Sequence, residues 1–145
     1  MVKPTGRVIL TVSGKISATN SGDTAQFDLE MLRAFPALSF STTTLWTEGV
    51  REFTGVPLAV LLDSLGTSGS TVDAWAINDY LAEFELEELE QDVPIIAYEM
   101  DGKPMSRREK GPLWIVYPYD SDSDYRTELV YARSVWQLDR LEVLE

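Results

Sequence analysis

The chain has 145 residues, 44% hydrophobic and 25% charged, a balance that supports one packed domain over residues 1–145 rather than a disordered chain. Its formal net charge is -12 with no basic footprint, which excludes nucleic acid and an anionic membrane surface as partners. Cysteine and histidine are both missing, so disulfides, thiolate nucleophiles, imidazole acid–base catalysis and the usual zinc, haem and iron–sulfur ligand sets are excluded as well.

Residues 7–14 (RVILTVSG) alternate and are rich in β-branched side chains, so they predict a strand. A polar loop follows over 18–23. Residues 27–35 predict a short helix, with Asp28 as N-cap, Leu29 and Leu32 on one face and Pro36 as the stop. The Ser/Thr-rich stretch 38–45 reads as extended. A second helix opens at Val56-Pro57-Leu58, with Pro57 in its first turn, Leu58, Leu61, Leu62 and Leu65 on one face, and Gly66 ending it.

Residues 67–70 predict a turn, and 72–77 and 80–84 two strands joined near Asn78-Asp79. An acidic helix or turn is expected over 86–91. Residues 95–100 predict a strand leading to a hairpin-type turn at Asp101-Gly102. A strongly apolar strand is expected over 113–117, a polar loop over 120–124, and a last strand over 134–144. With no repeat and no linker, these elements predict one α+β domain, mostly β-sheet with short helices. No run of about 18 apolar residues occurs, so no membrane insertion is expected. Residues 1–4 do not read as a secretory signal, which leaves a cytoplasmic protein or a mature domain whose leader has been removed.

Several motifs fail on inspection. Asp120, Asp122 and Asp124 occupy the first ligand positions of a calcium loop, but Tyr125 stands where glycine is required and Tyr131 where the bidentate glutamate belongs. Glu85, Glu87, Glu88 and Glu90 read as a surface charge run. Ser106 and Lys110 have the residue types of a Ser–Lys dyad, with nothing to orient them. Arg107, Arg108 and Lys110 form the only basic cluster, a partner-docking patch or a solvated turn, with the turn favoured.

Three segments together resemble the sulphite-oxidase-like, molybdopterin-dependent oxidoreductase family. The first is residues 46–58 (WTEGVREFTGVPL), similar to the stretch that leads from the family's metal-binding loop into a helix. The second is residues 95–104 (IIAYEMDGKP), similar to its Asn/Asp-Gly hairpin. The third is residues 111–118 (GPLWIVYP), followed by Ser134-Val135-Trp136-Gln137-Leu138, similar to its Pro-containing strand and closing tryptophan strand. The resemblance implies the sulphite-oxidase-like molybdopterin-binding fold over nearly the whole chain. The departure from the family matters as much. Where the family's molybdenum-binding cysteine is expected, this chain has Ser41-Thr42-Thr43-Thr44, and a neutral hydroxyl replaces a soft thiolate poorly. Trp114 stands in place of the arginine of the Pro-containing strand.

The resemblance extends to a metal-free branch of small exported proteins that bind free pterins. It implies no redox cofactor, a pterin as ligand, and a bacterial, periplasmic sensor whose signalling partner is a cyclic-di-GMP enzyme. A cytoplasmic location is the alternative. The alternative function is a molybdopterin-dependent oxidoreductase with an atypical site. A pterin requires an aromatic face and an acceptor for its paired N–H donors. The candidates are Trp46 for stacking, Asn78, Asp79 and Tyr80 at the strand junction, Glu48 and Arg51 beside the former metal loop, and Ser134 and Trp136 on the closing segment. Trp75 and Trp114 are expected in the core.

Overall fold

The computed structural model describes residues 1–145. The chain begins with β1 (Leu10–Gly14) and β2 (Ala25–Phe27), a hairpin closed by a polar loop. Next come α1 (Leu29–Arg33), β3 (Leu38–Thr42), β4 (Arg51–Pro57) and α2 (Leu58–Ser64). After these follow β5 (Thr71–Ala76), β6 (Leu81–Glu85), β7 (Ile95–Met100), β8 (Lys103–Pro104), β9 (Trp114–Val116), α3 (Glu128–Arg133) and β10 (Leu138–Leu144). The strands form two sheets. One has the order β2-β1-β10-β5-β6, in which β10 lies parallel to β1 and antiparallel to β5. The other has the order β3-β4-β7-β8, with β9 also paired to β7.

The core lies between these elements, and the burial pattern follows from it. In β5, Val72, Ala74 and Ala76 are buried while the residues between them are not, as in a strand with one covered face. In β7, Ile95, Ile96, Ala97 and Tyr98 are all buried, and so are all three residues of β9. Both faces are covered there, so the alternation that marks a strand in sequence is lost.

Asp28 caps α1 as its residue type predicts, accepting from the Met31 amide, and its other carboxylate oxygen accepts from the Thr5 and Gly6 amides. These bonds hold its carboxyl below the usual range, with the Gly6 amide as the largest cause.

Residues 25–27 form β2 where no strand was expected, so Phe27 belongs to it and not to the helix. Three further elements differ from the sequence expectations. Residues 51–57 form β4, the strand that joins β3 to β7, although the segment reads as a loop approaching a helix. The register shifts between Thr54 and Gly55, and a Cβ at Gly55 would lie 2.0 Å from the Ile96 carbonyl oxygen. Glycine is therefore required here by the close approach of β7. Residues 128–133 form α3, which the sequence reading missed. The last strand begins at Leu138 instead of 134, because Gln137 has φ 53° and cannot continue an extended chain.

Candidate functional site

Trp46 sits at the centre of an aromatic cluster. Its ring lies 5.4 Å from Trp136, 6.0 Å from Trp114, 6.0 Å from Tyr131 and 6.2 Å from Tyr119, all edge-to-face. These are favoured separations for aromatic pairs. The loop that carries Trp46 is closed on itself. The Thr44 hydroxyl accepts from the Trp46 amide at 3.0 Å and shares a 2.8 Å hydrogen bond with the Thr47 hydroxyl. Short Thr side chains make such turns readily, and this one turns Trp46 inward.

Beside the cluster lies a cavity of about 180 Å³ lined by Trp46, Ala76, Asn78, Tyr80, Tyr131, Ala132, Ser134, Val135 and Trp136. Three elements shape it. The β5–β6 turn supplies Asn78 and Tyr80, α3 supplies Tyr131 and Ala132, and the segment before β10 supplies Ser134 to Trp136. The Tyr80 hydroxyl donates to the Ala132 carbonyl at 2.7 Å, tying the β5–β6 turn to α3. Lys110 packs its ammonium 4.3 Å from the centroid of the Trp136 ring, a cation–π contact.

Of the eight residues expected from sequence, Trp46, Asn78, Tyr80, Ser134 and Trp136 line this one cavity. The other three lie elsewhere. Asp79 has φ 70° at the tip of the turn and directs its carboxylate to Arg140. The left-handed tip turns consecutive side chains apart, which separates Asp79 from Asn78 and corrects its expected place in the pocket. Arg51 donates to the Glu48 carbonyl at 3.0 Å and pairs with Asp101 at 3.0 Å across the β7–β8 turn. The exposed Glu48 contributes its backbone to that corner. Trp75 is half-buried under Arg140, and Trp114 is fully buried.

Four lining residues were not among the expected ones, Ala76, Tyr131, Ala132 and Val135, and Tyr131 and Ala132 were missed because α3 was missed. The signal was present: Thr127 as N-cap, accepting from the Val130 amide, Glu128 in the first turn and Arg133 in the last.

The cavity lining has no carboxylate, amine, thiol or imidazole. The buried Ser134 hydroxyl is committed, accepting from the Tyr119 hydroxyl at 2.6 Å and donating to the Val130 carbonyl at 2.9 Å. Burial pushes the Tyr119 phenol up to about 12, so it remains a neutral donor. The Asn78 side-chain amide lines the cavity among flat apolar walls, and its Oδ1 already accepts from the Tyr80 amide at 3.2 Å.

A family model described as "oxidoreductase molybdopterin binding domain" matches residues 15–144. Among solved structures, the chain is similar to the sulfane dehydrogenase SoxCD from Paracoccus pantotrophus, at 22% identity and a TM-score of 0.69. The match covers 93% of this chain and 37% of that one, and at this identity it is a likeness of fold. No curated protein matches the chain.

The residues present do not fit the molybdenum centre that this description implies. At the place of the expected thiolate, the Thr42 hydroxyl donates to the Thr43 carbonyl at 2.9 Å and accepts from the Asp120 amide at 3.1 Å. The Thr43 hydroxyl donates to Asp120 at 2.6 Å. Neutral hydroxyls committed in this way are a poor donor set for a high-valent metal. No group of three or more His, Cys, Asp or Glu side chains converges elsewhere in the chain.

Proposed function

Because the chain belongs to the oxidoreductase molybdopterin-binding domain family, we propose that it binds a free pterin in the Trp46 cavity and acts as a sensor, without redox chemistry of its own. The observation that carries this reading is the cavity itself. Aromatic rings from Trp46, Tyr80, Tyr131 and Trp136 surround one amide, Asn78, in a space of about 180 Å³. Ligand pockets of drug-sized molecules run from roughly 300 Å³ upward, so a compact bicyclic heteroaromatic suits this space better than a large cofactor. Stacking on tryptophan provides affinity, and the Asn78 amide reads the 2-amino-4-oxo edge.

The sensor reading needs a listener. Ile77, Tyr80 and Leu81 around the β5–β6 turn and Leu129 on α3 are large and exposed, and these elements wall the cavity. Apolar side chains there support a protein contact that depends on occupancy. In this reading the partner is a signalling protein, such as a cyclic-di-GMP enzyme, and the chain works in the periplasm.

The test is calorimetric titration of the full chain with a reduced pterin and with an analogue blocked at its 2-amino-4-oxo edge. The expected result is saturable one-to-one binding of the pterin, with the blocked analogue at least about tenfold weaker. Equal binding of the two compounds, or no binding of either, overturns the reading.

A further inference from the structure

A second cavity, of about 170 Å³, lies on the other side of α3, between the turn after β6 and the end of β9. Its walls are aromatic: Phe84, Tyr117 and Tyr125, with the two tyrosine rings 5.9 Å apart. Around them stand four carboxylates, Glu85, Glu88, Glu90 and Asp124, against a single guanidinium, Arg133. That guanidinium is already engaged. Its Nε donates to the Glu83 carbonyl at 2.9 Å, its head lies 5.5 Å from the Phe84 ring centroid, and it stands 3.8 Å from the Glu88 carboxylate. The cavity therefore keeps a strong negative excess.

A separate observation points to a ligand. Tyr117 is only 7% exposed, and it lines this cavity. Its hydroxyl has no partner, whereas the neighbouring Tyr125 hydroxyl donates to Glu90 and the Tyr119 hydroxyl to Ser134. Tyr117 is buried while its hydroxyl stays accessible through the cavity, the one buried polar side-chain atom without a partner being the Trp114 Nε1. Here the hydroxyl meets the cavity that Arg133, Glu90 and Tyr125 also line.

The donor set decides the ligand class. No three carboxylates converge as ligands for a metal ion, and half of the lining is apolar. A hard, compact cation needs a full shell of oxygens. A cation with hydrocarbon attached is served by aromatic faces and acidic groups together. We propose that this cavity binds a small primary ammonium on a short apolar stem, an alkyl- or arylalkylamine. Glu90 and the Tyr117 oxygen accept its N–H donors, and Tyr125 and Phe84 enclose the stem. The proposal is independent of the pterin reading, since no residue lines both cavities.

The experiment is calorimetric titration of the full chain with 2-phenylethylammonium and n-butylammonium, with 2-phenylethanol as the uncharged twin of the first. The amine should bind at least about tenfold more tightly than the alcohol, and added salt should weaken it. E90Q should lower the affinity about tenfold or more, and Y117F, which keeps the ring, about three- to tenfold. Glu87 is on the same acidic turn but does not line the cavity, so E87Q should leave the affinity unchanged. Melting curves establish that each variant is folded, and Y117F carries the test if E90Q is not. Equal binding of amine and alcohol, equal losses in E87Q and E90Q, or no amine binding up to about 10 mM overturns the proposal.

Discussion

Asp120 holds Thr43 twice: one carboxylate oxygen accepts from the Thr43 amide at 2.7 Å, and the other accepts from its hydroxyl at 2.6 Å. The loop after β3 is thereby fastened to the turn after β9. The Thr43 hydroxyl, followed by its amide, holds the Asp120 carboxyl below its ordinary value of 3.8. A depressed carboxyl stabilises the fold above its unfolded value, and that stability is lost as pH falls through the folded value. Asp28 and Asp101 are depressed in the same sense by their own hydrogen bonds. The melting temperature should therefore fall as pH drops below about 4. D120A should start lower at neutral pH and lose less on acidification. Parallel pH curves for D120A and the parent would sink this account.

T43A should lower stability, because Asp120 loses one of its two donors. It should leave pterin affinity within about tenfold, since the bond it removes, from the Thr43 hydroxyl to the Asp120 carboxylate, lies outside the cavity. Titration and a denaturant melt of the same sample separate the two effects. A thousandfold loss of affinity in folded protein would give this loop a direct part in binding.

Trp46→Ala removes the ring around which Trp114, Tyr119, Tyr131 and Trp136 are packed. Since Trp46 is only half-buried, a stability loss of about 2–3 kcal/mol is expected, below the range for a fully buried tryptophan. All pterins should weaken similarly, whatever their edge. Quenching of tryptophan fluorescence on ligand addition reads this directly. Unchanged quenching in the variant would place the ligand elsewhere.

Asn78 and Asp79 are neighbours in sequence with different roles. Asn78 lines the cavity, whereas Asp79 pairs with Arg140 at the surface. N78A should therefore lose selectivity for the intact pterin edge over a blocked one. D79N should change affinity less than about threefold, as expected for an exposed ion pair outside the cavity. The reverse ranking in calorimetry would mean that the turn rearranges around the ligand.

Protein purified from a molybdenum-replete host should carry far less than one metal atom per chain. The reason is the donor set at Thr42 and Thr43, not the fold. Stoichiometric molybdenum by elemental analysis would instead support an oxidoreductase with an atypical site.

Gly55→Ala should destabilise the fold by about 1–3 kcal/mol or more, because its Cβ would collide with the Ile96 carbonyl where β4 crosses to β7. Urea denaturation measures it, and an unchanged midpoint would show that the bulge can open.

Sequence by itself determined the elements whose signals are local. Asp28 before an apolar repeat marks the start of α1, alternation marks β5, and Asp101-Gly102 marks the turn after β7. It also carried the resemblance to the family, and five of its candidate residues, Trp46, Asn78, Tyr80, Ser134 and Trp136, come together around one cavity. Of the elements it missed, α3 carried a local signal in Thr127, Glu128 and Arg133, whereas β4 depends on partners distant in the chain. β4 is a strand because β3 and β7 pair with both its edges, despite Arg51, Glu52 and Gly55 in its sequence. The place of Asp79 was settled by a left-handed tip and by Arg140, 61 residues away. Tyr131 entered the site because α3 packs beside Trp46, and the Thr43 hydroxyl is committed because Asp120 lies 77 residues away in sequence and 2.6 Å away in space. Residue type is local and fixes what a side chain can do. Its partner is set by long-range pairing, which only the tertiary structure decides.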